Sequence, residues 1–303
     1  MIKSATLQSN SNKGQTGAIH DVSVSKWSQD CAKLISSLHQ KNFPRALVSF
    51  VNEAVSNEEC IILAFSGNDQ PVALYDNIQE GEELFQIEAY LSGPYLLDPF
   101  YMAFSNDRLT GAHLLKDLAP DEFRKTEYYN RYYKRIGIVD EAGLLIDIDK
   151  NTCIHISISR RSAGNHFSDD EFFTLRAISP VIISAVRQHW SDLSKSAEDP
   201  SSPGNHLHHQ LRDAYDNFGS SILTSREVEI VKLMMRGHSA KSAARIMKIS
   251  PGTVMNHRRN VYAKLKINSQ SELFNLFLES LALSAENNEA DPLAKYQLHS
   301  GAT

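Results

Sequence analysis

The chain has 303 residues, 42% of them hydrophobic, a formal net charge of −5 and three cysteines. That length holds two domains with connecting segments. Cys31, Cys60 and Cys153 are too few and too scattered for a disulfide framework or a zinc site, so reduced, buried thiols and no metal are expected. No apolar run reaches the ~18 residues of a membrane span, and the stretch from Met1 to Gly17 has no apolar core of a secretory signal, so a cytoplasmic protein off the membrane is expected.

Residues 1–21 are polar and read as a disordered arm. From 22 to 190 the pattern is that of one mixed α/β domain. Trp27, Cys31, Leu34 and Ile35 predict a first helix, and Phe43 to Val55 a second with Pro44 near its start. Cys60–Ser66 and Pro71–Asp76 are strand-like runs joined by a glycine-containing loop. Glu80 to Leu91 and Asp121 to Arg135 are predicted helical. Gly143–Asp149 and Thr152–Arg160 form a second strand pair turned at Lys150-Asn151, and a long helix capped by Ser168 runs to about Trp190 with Phe172, Leu175, Ile178, Ile182 and Val186 as its stripe. Tyr128/Tyr132 and Tyr129/Tyr133 are i, i+4 pairs, a spacing that suits core packing.

Residues 191–220 are rich in Pro, Ser, Gly and charge and read as a linker, with His206, His208 and His209 as exposed linker side chains. Residues 221–283 change character. Thr224 with Glu227 is a capping box, Ile230, Leu233 and Met234 recur at helical spacing, and Gly237 fits a left-handed C-terminal cap. Ser239 caps a second helix carrying Ala243, Ala244 and Met247. Ser250-Pro251 starts a third, with Val254, Val261 and Leu265 inside. A fourth begins near Ser269, with Leu273, Leu276, Phe277 and Leu281. Residues 284–303 are polar and read as a disordered tail.

The third of these helices is the candidate DNA reader. Met255 and Arg259 are four apart and share its outer face with Asn256. Arginine there bonds guanine bidentately and asparagine bonds adenine, each worth ~1–3 kcal/mol of discrimination. Ser250, Thr253, Arg258 and Lys264 are candidates for phosphate contact, which positions without specifying. From Leu223 to Leu283 ten Lys/Arg face four Asp/Glu, a balance of +6 that leaves −11 on the remainder. A basic module on an acidic body predicts salt-sensitive DNA binding by the module alone.

The runs LTSREVEIVKLMMRG and ISPGTVMNHRRNVYAKL resemble the DNA-binding domain of the LuxR family of bacterial transcription factors, the GerE or FixJ/NarL type. The resemblance covers about a fifth of the chain. It implies a four-helix domain whose third helix enters the major groove, with Met255, Asn256 and Arg259 at base-contacting positions. The chain departs from the family at Ser242, where an acidic residue is common, at Met255, where Lys or Arg is common, and at Ser269-Gln270. Ala89–Phe104, then Glu127–Ile138, two strands and a long helix, resemble the autoinducer-binding domain of LuxR-type quorum sensors, a PAS/GAF-like shape. By that resemblance Asp98 accepts the ligand's amide proton and Tyr90, Tyr95, Phe85 and Tyr129 are ligand-contacting candidates. The tryptophan that acyl-homoserine-lactone sensors carry before the aspartate is replaced by the Phe85-Gln86 region, which argues for another ligand.

The expected fold class is therefore α+β: an N-terminal α/β/α sensor with a small antiparallel sheet, and an all-α four-helix helix-turn-helix domain. The expected function is DNA-binding transcriptional regulation, as a homodimer on a partial palindrome, under a small-molecule effector and with no cofactor. A ligand-free dimerisation domain is the alternative. A phosphorylated receiver and a fused enzyme fit less well: the front domain opens with helices and lacks the receiver's paired acids, and no phosphate loop or nucleophile elbow occurs.

Overall fold

The computed structural model describes residues 24–67, 69–78, 87–193, 203–284 and 291–294. Its centre is an antiparallel sheet of β1 (Glu59–Ser66), β2 (Val72–Asp76), β3 (Gly111–Leu114), β4 (Asp140–Asp147) and β5 (Thr152–Arg160), in the order β2-β1-β5-β4-β3. Both expected hairpins form. The edge strand β3 was not read from sequence, since four residues with glycine first carry little strand pattern.

Strand period assigns the two faces. Cys60, Ile62 and Ala64 of β1, Ala142, Leu144 and Ile146 of β4 and Ile154, Ile156 and Ile158 of β5 point one way. They meet α1 (Val24–Ser36), α2 (Phe43–Ala54) and α7 (Asp169–His189). Ser168 caps α7 with a capping box through Glu171, as expected. In α1 only Leu34 of the expected stripe is buried; Trp27 and Ile35 stay exposed, because α1 touches the domain along one narrow line.

The opposite sheet face meets short helices: α3 (Ala89–Leu91), a 3-10 turn at Pro94–Leu97, α4 (Pro99–Ser105), α5 (Leu115–Leu118) and α6 (Glu127–Tyr129). The continuous helix expected from Asp121 to Arg135 is instead broken into a 3-10 turn at Phe123–Lys125, α6 and a π turn at Asn130–Lys134. Most of the helix expected from Glu80 lies outside the described residues.

Residues expected to form a linker contain α8 (Pro203–Asn217). Its Leu211, Ala214, Tyr215 and Phe218 beyond it are buried. The DNA-binding helices follow as α9 (Ser225–Arg236), α10 (Ala240–Met247), α11 (Pro251–Leu265) and α12 (Gln270–Ser284). Each start signal works as read: Thr224–Glu227 is a reciprocal capping box, Ser239 and Ser250 cap through their hydroxyls, and Gly237 is left-handed at φ 96°. In α12 Phe274 is buried where Leu276 was expected, which is only partly covered. The polar C-terminal segment is not free throughout. Asp291 is buried and accepts from the Gly219 and Ser221 amides, both at 2.8 Å, and Leu293 is buried beside it.

Among the described residues no helix is long and apolar enough to cross a membrane. One apolar cluster runs from the second sheet face through α8 into α9–α12, so the front and DNA-binding parts share a core.

Candidate functional site

Helix α11 presents its outer face to solvent. Ser250 starts it, its hydroxyl accepting from the Thr253 amide at 3.1 Å, with Pro251 in the first turn. Val254, Val261 and Leu265 turn inward against α9 and α10. That fixes Met255, Asn256 and Arg259 outward; Met255 is 58% exposed. The phosphate candidates divide. Thr253 and Ser250 share a hydroxyl contact of 2.8 Å at the exposed N-terminus, and Arg258 is half-buried. Lys264 is already engaged: its Nζ lies 2.7 Å from Glu227 Oε2, so it ties α11 to the capping box of α9. Burial pushes the Glu227 carboxyl up, but the Lys264 and Thr224 hydrogen bonds outweigh that and hold it below the usual range.

A second site lies on the far face of the sheet. Period two brings Ile61 and Leu63 of β1, Glu141 of β4 and His155 and Ser157 of β5 to that face, and Tyr90, Asp98, Tyr128, Arg131, Tyr132 and Tyr133 close over them. The cavity holds about 80 Å³, well below the several hundred of a drug-sized pocket. Gly143 sits beneath it: a Cβ there would come within 2.7 Å of His155 Nε2 and 2.6 Å of Phe100, so the absent side chain is what lets these two rings stack at 4.6 Å.

Two carboxylates line this cavity. Asp98 caps α4, accepting from the Phe100 amide at 2.8 Å, and also accepts from the Tyr90 hydroxyl at 2.5 Å. Glu141 accepts from Tyr133 at 2.7 Å and from Ser157 at 2.5 Å. Burial raises Asp98 to about 6 against those hydrogen bonds. Burial and the nearby Asp98 raise Glu141 to about 8. His155 is 1% exposed, neither ring nitrogen has a hydrogen-bond partner among the described residues, and burial lowers it to about 3, so it is neutral. The arginine on the wall, Arg131, pairs with Glu127 at 3.1 Å and does not neutralise either acid.

Of the five ligand candidates, Asp98 and Tyr90 line the cavity. Tyr95 does not. It is fully buried and its hydroxyl meets His208 Nδ1 of α8 at 2.9 Å, which also corrects the reading of His208 as an exposed linker histidine. Tyr129 does not reach the cavity either; it stacks on Tyr133 at 5.4 Å beside Phe123. Phe85 lies outside the described residues. Sequence reading missed Glu141, His155 and Ser157. For His155 and Ser157 the signal was the alternation of β5, Ile-His-Ile-Ser-Ile-Ser, where polar side chains repeat on one face of a strand whose other face is core.

The cavity lid is also a docking surface. Arg131 donates to Asn275 Oδ1 on α12 and lies 5.4 Å over the Phe274 ring. Ser271 donates to Glu127 at 3.1 Å. The Glu122 amide donates to the Gly237 carbonyl at 2.8 Å, and the Ser239 amide to Asp121 at 3.0 Å. Here the chains approach so closely that a Cβ on Gly237 would lie 2.6 Å from the Phe123 Cα. A larger crevice of about 840 Å³ between α4, α5, α9 and α10 has a polar rim with Lys116, Arg236, Lys241 and Arg245, and none of its lining residues has a buried polar atom lacking a partner.

Residues 221–277 match the model of bacterial regulatory proteins of the luxR family, also called GerE. The chain is 30% identical over 188 residues to the HTH-type transcriptional regulator sequence of the exeN 3′ region of Aeromonas salmonicida, covering 61% of this chain and 94% of that protein. It is 27% identical over 187 residues to the monoamine regulon transcriptional regulator of Klebsiella aerogenes, covering 61% and 70%. The solved VqsR LBD domain from Pseudomonas aeruginosa is 26% identical, with a TM-score of 0.48, over 54% of this chain and 95% of that one.

Proposed function

This chain belongs to the LuxR family of bacterial regulatory proteins, and from that premise we propose that a small molecule held in the cavity on the sheet controls its DNA-binding helices. The observation that carries this reading is the double use of one short segment. Tyr128, Arg131, Tyr132 and Tyr133 line the cavity, while Glu127 and Arg131 hold Ser271 and Asn275 of α12. A ligand that shifts the segment alters the grip on α12, and its effect equals its difference in affinity for the gripped and released states.

The reader face of α11 meets the major groove through Met255, Asn256 and Arg259, with Ser250, Thr253 and Arg258 at phosphates. Met255 offers an apolar surface, suited to a thymine methyl. Two half-sites call for two readers, so the working form is a homodimer on a partial palindrome, acting in the cytoplasm and without catalysis. The small cavity and the absence of a tryptophan donor favour an effector other than an acyl-homoserine lactone.

The test is DNA affinity by fluorescence anisotropy, with and without small-molecule fractions of the native cell. One fraction should change the affinity by about 5- to 150-fold. If no fraction does, and Arg131→Ala binds DNA as the wild type does, the front domain is a ligand-free dimeriser.

A further inference from the structure

We infer that the cavity takes a small organic amine in its protonated form, the ammonium held among Asp98, Glu141 and His155 and the carbon chain against the tyrosine rings. This rests on the ligand-controlled reading above and names the chemistry of its effector.

The first ground is charge. Asp98 and Glu141 face one small cavity, and neither forms a salt bridge among the described residues; their partners are hydroxyls and a backbone amide. Two buried acids without a cation favour holding a proton. A ligand cation replaces that proton. An anionic ligand meets repulsion from both.

The second ground is an unsatisfied acceptor. Buried polar atoms are almost always hydrogen-bonded, and exceptions call for an explanation. His155 lines the cavity, is 1% exposed and has neither nitrogen bonded among the described residues. Held neutral, it offers one lone pair, which an ammonium can meet, and one N–H. An ammonium carries three N–H donors, and the cavity supplies three acceptors: one carboxylate, a second carboxylate and this nitrogen. An alcohol carries no charge and leaves both acids without a cation.

The third ground is shape. Tyr90, Tyr128, Tyr132 and Tyr133 surround the space, and aromatic faces attract cations, the more so when desolvated. A volume of about 80 Å³ admits only a handful of heavy atoms.

The probes are n-butylamine, 1-butanol and butyrate, alike in size and different in charge, titrated calorimetrically into the full chain with potassium chloride as a control. Butylamine should bind at least about tenfold more tightly than the other two. It stays protonated across neutral pH, so its affinity should rise about tenfold from pH 6.5 to 8.5 as Glu141 loses its proton. The groups facing Glu141 are Asp98, Asp140, Tyr133, Tyr128 and Ser157, with Arg131 and neutral His155 on the same cavity wall. Glu141→Gln should weaken butylamine about tenfold and flatten its pH profile. Should that variant fail to fold, the wild-type pH profile decides.

No millimolar binding of butylamine, equal binding of butanol, an equal effect of potassium, or an affinity flat in pH overturns the assignment. DNA affinity in the same samples separates the two readings. Butylamine that binds and leaves DNA affinity unchanged sinks ligand control and spares the ligand class. A cell fraction that moves DNA affinity while butylamine fails to bind does the reverse.

Discussion

Arg131 on the cavity wall donates a hydrogen bond to Asn275 on α12, linking positions 144 residues apart. Its guanidinium also pairs with Glu127 and covers the Phe274 ring. If this bond couples sensor to reader, Arg131→Ala and Asn275→Ala should change the DNA affinity of the ligand-free chain in one direction. The double variant should go no further than Arg131→Ala alone, because that substitution already removes the bond Asn275 makes. Additive effects in a double-mutant cycle by anisotropy would show that the two residues act separately.

Arg259→Ala and Lys264→Ala should fail in different ways. Arg259 is exposed on the reader face, and its loss should relax preference at one base position, costing ~1–3 kcal/mol there. Lys264 is spent on buried Glu227. Its loss leaves an acceptor short of a partner, which costs roughly 1–3 kcal/mol of stability. A lower melting temperature with an unchanged salt slope is expected for Lys264→Ala. A flattened slope at unchanged stability would return this lysine to the phosphate contacts.

Glu141 makes stability depend on pH without any ligand. Its folded value is raised to about 8 from an ordinary 4.5. Between these values the folded chain binds the proton more tightly, so stability falls as pH rises from about 4.5 to about 8. Glu141→Gln mimics the protonated side chain. Its melting temperature should exceed that of the wild type at pH 8, and the difference should shrink toward pH 5.

His208 acts with the opposite sign. Burial, with Arg212 and His209 nearby, lowers it to about 4 from 6.5. The unfolded chain takes the proton first, so the contribution of neutral His208 is full above about pH 6.5 and is lost as pH falls toward about 4. Amide exchange in α8 should quicken across that interval. In His208→Gln, which keeps an acceptor for Tyr95, that acid sensitivity should weaken; an unchanged profile would place the acid response elsewhere.

The DNA-binding helices were legible because each carries its own start and stop: Thr224 with Glu227, Ser239, Ser250 before Pro251, and Gly237 are local signals that need no tertiary partner. The sheet was legible in four of its five strands by alternation. Misreadings came where tertiary burial overrides composition. Residues 203–217 look like linker by Pro, Gly and His, yet form a helix whose Leu211, Ala214 and Tyr215 are covered. Tyr129 sits beside cavity-lining Tyr128 in sequence, but the broken turns from Phe123 to Lys134 decide which rings line the cavity, and Tyr95 is held away by His208 of α8. Glu141 and His155 come to one cavity only through the pairing of β4 with β5, which sets Glu141 opposite Ser159 and His155 opposite Leu145 on the same sheet face.

Asp291 gives the far end of the chain a practical meaning. It closes the Gly219–Ser221 turn with both carboxylate oxygens, immediately ahead of the Thr224 cap. A shortened protein cut at Ser284, a natural choice when trimming to the last long helix, loses this clasp along with buried Leu293. Such a truncation should melt earlier than the full chain. Adding Asp291→Ala to the full chain should reproduce part of that loss, so expression designs that keep residues through 294 start from the sturdier protein.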